Sequence, residues 1–162
     1  MNTSRLLAGI ACALLSSGAF AALTLDRTTS LSDSLGGTLK IATNGTVEIP
    51  GADITSQATL TNFHPRDNQE LTANGSITRT RERSDETSTN TYNGSLTLTG
   101  TGKNGAAVND TLVLQNLQVV RDGDGPAFSG TIVFNGKTID AAQMTDETKH
   151  LLHRVLRFFA FD

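Results

Sequence analysis

Three arginines stand at alternate positions late in one stretch of the chain, at Arg79, Arg81 and Arg83. They follow Leu71, Ala73, Gly75 and Ile77 in the same parity, so one face of an extended strand begins apolar and ends in guanidinium groups. Guanidinium forks recognise phosphate, carboxylate or sulfate, and these three are the candidate ligand-binding residues. The wholly polar segment from Ser84 to Asn90 suggests a hairpin arm projecting beyond the core. The competing expectation is that Asp85, Glu86 or cross-strand partners simply pair with the arginines.

Other chemistry-bearing residues are sparser. His150 and His153 lie three apart, with Asp146 and Glu147 one turn earlier, but the His-Glu-x-x-His spacing of a helical zinc site is missing. They read as solvated helix residues, and no metal is expected. Asp122-Gly123-Asp124-Gly125 lacks the downstream acid that closes a calcium loop and has the composition of a hairpin turn. No serine occupies a Gly-x-Ser-x-Gly elbow, and His64 is the only histidine outside the C-terminal segment that could serve as a base. Paired carboxylates for glycoside cleavage are possible on spacing. The chain has no tryptophan and one tyrosine, so stacking platforms for sugars are scarce. There is no phosphate-cradling glycine loop with a lysine. The expectation is a protein without enzymatic activity or cofactor.

A second surface feature closes the chain. Phe158, Phe159 and Phe161 fall within four residues, too close for all of them to point inward from one helix. Either the chain tucks them under the sheet edge, or they form an apolar patch that meets a partner, lipid or sheet as a lid.

The elements that must position these groups are mostly strands. Alternating patterns mark Leu39 to Ala42, Thr46 to Ile49, Asp53 to Phe63, Glu70 to Arg83, Asn90 to Thr101, Thr111 to Arg121 and Ala127 to Phe134, with a short strand near Ile139. Turn clusters separate them at Thr43-Asn44-Gly45, His64 to Asn68, Gly102 to Gly105, Asp122 to Pro126 and Asn135-Gly136. A recurring Gly, Ser or Thr, aliphatic pattern begins at Gly37, Gly45, Gly75, Gly94 and Gly130 and reads as a strand entry. The apolar parity of Leu112, Leu114, Leu117 and Val119 switches near Gln115-Asn116, which predicts a bulge. Short connections force antiparallel neighbours. The predicted fold is mainly β, an antiparallel meander forming a curled open sheet or a small barrel. One amphipathic helix over about 141–159 covers it, with Asp140 as N-cap and Gln143 as its capping-box partner.

The first residues have the three zones of a secretory signal peptide: Arg5, the apolar run Leu6 to Leu15, and Ala19-Phe20-Ala21 as a cleavage site. Ten apolar residues are too few for a bilayer span, which needs about 20. Residues 1–21 are therefore expected to be removed. Cys12, the only cysteine, goes with them and leaves a cysteine-free single domain over 22–162. Losing Arg5 takes the formal charge from −3 to −4, which argues against unaided nucleic-acid binding. The expectation is an exported protein, periplasmic or extracellular, without a transmembrane segment. It would bind an unidentified protein or an anionic, amphiphilic envelope ligand through its sheet. A carrier or chaperone for an amphiphile, lidded by the helix, is the alternative, and an envelope hydrolase comes third.

Overall fold

The computed structural model describes residues 22–49, 51–64, 70–102, 104–122 and 125–156. The proposed signal segment and Phe158, Phe159 and Phe161 lie outside the described residues. Eight strands follow one another as β1 (Leu23–Ser32), β2 (Thr38–Glu48), β3 (Gly51–Phe63), β4 (Leu71–Arg83), β5 (Ser88–Thr101), β6 (Ala107–Asp122), β7 (Gly125–Phe134) and β8 (Lys137–Asp140). They form one open antiparallel sheet in sequence order, as short connections require.

Strands β2 to β7 carry their buried residues on one face, and the pairing aligns these positions into rows across the sheet. One row runs Leu39, Leu60, Gly75, Leu96, Leu112, Phe134, and the next runs Ile41, Ala58, Ile77, Gly94, Leu114, Ile132, Ile139. Leu39, Leu60, Ile77, Leu114 and Ile132 all keep less than a tenth of their surface in water. A flat sheet could not bury them without a second layer, so the sheet curls and these rows pack within its concavity.

Glycine makes the curl possible. Gly75 and Gly94 lie in mid-strand with φ of 128° and 138°. A Cβ on Gly75 would stand 2.2 Å from the Ser95 carbonyl oxygen, and one on Gly94 equally close to that of Ser76. The missing side chains let neighbouring strands approach and bend where a β-carbon would hold them apart. Gly45 has the same role in β2, so Asn44-Gly45 kinks one continuous strand where the sequence suggested a turn between two. The Gly-Ser/Thr-aliphatic pattern is thus largely a device for curvature and not a strand entry.

Two bulges complete the shape. The register shifts between Gln115 and Gln118, where Asn116 adopts a φ of 49°, as the parity switch predicted. Between Leu60 and Phe63 the shift is centred on Asn62, whose N–H donates to Asn74 Oδ1 at 2.7 Å.

The C-terminal segment departs from one continuous helix. Asp140 does cap, accepting from the Ala142 N–H at 3.0 Å, but it caps a single 3₁₀ turn over Ala141–Gln143. Met144 then turns extended, and the helix α1 (Asp146–Leu156) begins afresh. Thr145 restarts it, because its Oγ1 accepts from the Thr148 N–H at 3.4 Å. Asp146 and Glu147 favour the positive end of the helix dipole just there. Met144 and Leu152 are buried in the core, and Val155 and Leu156 pack half-buried against it. Among the described residues, no helix is long and apolar enough to cross a membrane.

Candidate functional site

Above the two apolar rows the inner face changes chemistry. The third row reads Thr43, Ser56, Arg79, Tyr92, Leu117; the fourth Arg81, Asn90, Val119, Phe128; the fifth Arg83, Ser88, Arg121, Pro126. Moving from β4 to β7, the surface therefore passes from guanidinium through amide and hydroxyl to hydrocarbon. Helix α1 faces these rows across a cavity lined by residues of β4 to β7. Lys149, Leu152, His153 and Leu156, spaced by three and four, share the face that meets the sheet. Between helix and sheet lies an open cavity of about 580 Å³.

The cavity collects cations from separate elements. Arg79 and Arg81 come from β4, Arg121 from β6, and Lys149, His150 and His153 from α1. None of the described residues lining it is acidic. Arg79 is buried, and its Nη2 donates to Ser56 Oγ at 3.5 Å, while Ser56 also accepts from Thr43 Oγ1 at 3.1 Å. Arg81 is half-buried, and its Nε has no hydrogen-bond partner among the described residues. Tyr92 sits among these guanidinium groups. Burial pushes its hydroxyl pKa up, and the positive charges of Arg79, Arg121 and Arg81 pull it partly back by favouring the phenolate.

The three arginines named from the sequence thus have different fates. Arg79 and Arg81 line the cavity, whereas Arg83 is exposed at the strand end and does not. Their hairpin is not a projecting arm, because β3 pairs with β4 up to Arg83, and β5 with β6 from Ser88. The tight turn between them is closed by Ser84 N–H to the Thr87 carbonyl at 2.9 Å. Tyr92, Arg121 and the helix-borne His150 and His153 join the site without having been read as part of it. The hairpin offered one signal: folding back about Asp85-Glu86 places Ser88 opposite Arg83, and so Tyr92 opposite Arg79.

A second polar cluster lies at the opposite end of β4. Asp33 Oδ1 accepts from the Leu35 and Gly37 N–H groups at 2.9 and 2.8 Å. Its Oδ2 accepts from the His64 N–H at 2.7 Å and lies 2.9 Å from His64 Nδ1. Partial burial would raise the Asp33 pKa, but these hydrogen bonds prevail and hold the carboxyl far below the usual carboxylate range. His64 Nε2 reaches Thr72 Oγ1 at 3.5 Å. In outline this is an acid, imidazole and hydroxyl in series, but both Asp33 oxygens are engaged in tying the β1–β2 turn to the end of β3. Its evident work is to clasp the sheet. Among the described residues no three histidine, cysteine or acidic side chains gather as a metal-ligand set. Compared with family models, curated proteins and solved structures, the chain finds no significant match in any.

Proposed function

We propose that this is an exported, non-enzymatic binding protein that takes a small anionic ligand into the cavity between α1 and strands β4 to β7. The observation that carries the reading is the gathering of Arg79, Arg81 and Arg121 around one cavity that no described acid lines; Lys149, which also lines it, pairs with Asp146 at 3.1 Å. Like charges brought together repel, and burial raises the cost for Arg79 and, in part, for Arg81. An anion bound among them relieves that repulsion and can accept from the Arg81 Nε. Arginine suits the task because its charge persists at any physiological pH and its planar fork fits carboxylate, sulfate or phosphate oxygens. The export signal read over residues 1–21 would place such a protein in the periplasm or outside the cell.

Calorimetry with a matched pair of probes tests the proposal, using naphthalene-2-sulfonate and its neutral sulfonamide. The sulfonate should bind and weaken as salt is raised, and the sulfonamide should not bind. The double variant Arg81→Gln, Arg121→Gln should lose sulfonate binding while melting as the wild type does. Equal binding of both probes, or an unchanged affinity in the double variant, would contradict the reading.

A further inference from the structure

The cavity has two chemistries in an ordered arrangement, and this limits what the anion can be attached to. Its cationic side is β4, where Arg79 and Arg81 stand in adjacent rows of one strand. Two strands away the same rows end in Leu117 and Val119, and Phe128 lies beyond Val119 on β7. Leu117 and Val119 are buried, and Phe128 is half-buried. From above, α1 adds Leu152 and Leu156 to the hydrocarbon side, and Lys149 and the two histidines to the polar lining. A simple inorganic anion would use only the arginines and leave the hydrocarbon lining in contact with water. In the third and fourth rows the lining is cationic on β4 and apolar on β6 and β7, with Arg121 of β6 one row further out, so a ligand that fills it meets cations at its head and hydrocarbon along its length.

We infer that the ligand is a single-chain anionic amphiphile, with its head group between Arg79, Arg81 and Arg121 and its tail between Val119, Phe128, Leu152 and Leu156. This rests on the cavity being an anion site, as proposed above, and adds the chemical class. A volume of about 580 Å³ lies within the range that encloses one ligand of ordinary small-molecule size. One alkyl chain fits that space; the paired chains of a bilayer lipid do not. Seating the tail removes the half-exposed surfaces of Phe128 and Leu156 from water, which is a gain that grows with each methylene until the cavity is full.

The test is a chain-length series on the full mature protein, below the micelle concentration of each probe. Hexanoate, octanoate, decanoate and dodecanoate are titrated by calorimetry beside dodecanol and sodium sulfate. Affinity should rise roughly two- to fourfold for each added methylene and then level off. Dodecanol and sulfate should both bind far more weakly than dodecanoate. Leu156→Ala should reduce the gain from hexanoate to dodecanoate and leave hexanoate itself unchanged. If the four carboxylates bind equally, and sulfate with them, the anion site stands and the amphiphile is overturned. If dodecanol matches dodecanoate, the arginines do not hold the head and both readings fail. An absence of binding by every probe overturns both as well. The wild-type series decides the matter even if the variant proves unstable.

Discussion

The two ends of the inner face use the same alternation and reach opposite results. On β6, Leu114 and Leu117 keep 2% and 0% of their surface in water, beneath the curl of the sheet and α1. On β1, Leu23 and Leu31 occupy the same inner face, opposite Val47 and Leu39, yet remain 67% and 44% exposed. Both are aliphatic residues at inward positions of well-paired strands. The difference is what lies above them. Parity decides which way a side chain points, whereas burial depends on a neighbour that returns over it, and β1 is an edge strand with no such neighbour among the described residues. The cavity sits between these extremes, on the covered side of the sheet, where the cover is a helix that leaves room beneath it.

This contrast is tested most strongly by truncating leucines at the two ends. Leu117→Ala and Leu152→Ala should each cost about 2–5 kcal/mol, since each opens a void in packed surroundings. Leu31→Ala should change stability by no more than about 0.5 kcal/mol, because water already reaches that side chain. Urea unfolding of the three variants measures this. A Leu31→Ala loss comparable to the others would show that β1 is covered by something in solution, and a harmless Leu152→Ala would remove α1 from the core.

A smaller effect should come from the clasp that ties the β1 end to the rest of the sheet. With its pKa depressed in the folded protein, Asp33 contributes stability at pH values above the unfolded carboxylate value of about 4. That contribution is lost as pH falls from about 4 toward the much lower folded value. Asp33→Asn should therefore melt below the wild type at pH 7, and the gap should narrow as the pH is lowered through this range. A gap that stays constant from pH 7 down to strongly acid solution would mean that the carboxylate charge is not what the clasp uses.

Much of the architecture was legible from residue patterns because strand alternation is local. The spans of β3, β4, β5 and β7 follow it closely, β6 begins four residues earlier than the pattern suggested, and the bulge at Asn116 is visible as a slip of parity. The strand β1 was missed, since Leu-Thr-Leu-Asp-Arg-Thr-Thr-Ser-Leu-Ser mixes its few apolar residues with turn-forming polar ones. Asn44-Gly45 misled for a different reason: the positive φ that makes this pair a turn former also makes it a kink former within a strand. At the site, parity alone revealed that Arg79 and Arg81 share a face. It could not show that Arg121 and Lys149 join them, because that depends on the register of β5 with β6 and on where α1 comes to rest. The helix itself was foreseen from its apolar spacing, but its start at Asp146 hinged on Thr145 outcompeting Asp140 as the cap, a contest between two good capping residues.

The most direct test of the central claim is amide chemical-shift mapping of the mature protein during titration with dodecanoate. A ligand held between helix and sheet should shift the amides of Arg79 to Arg81, Ser88 to Tyr92, Leu117 to Arg121 and Lys149 to Leu156, and leave those of β1 and the Asp33 turn where they were. Shifts confined to β1, or spread evenly over the exposed surface, would contradict a cavity that binds an anionic ligand.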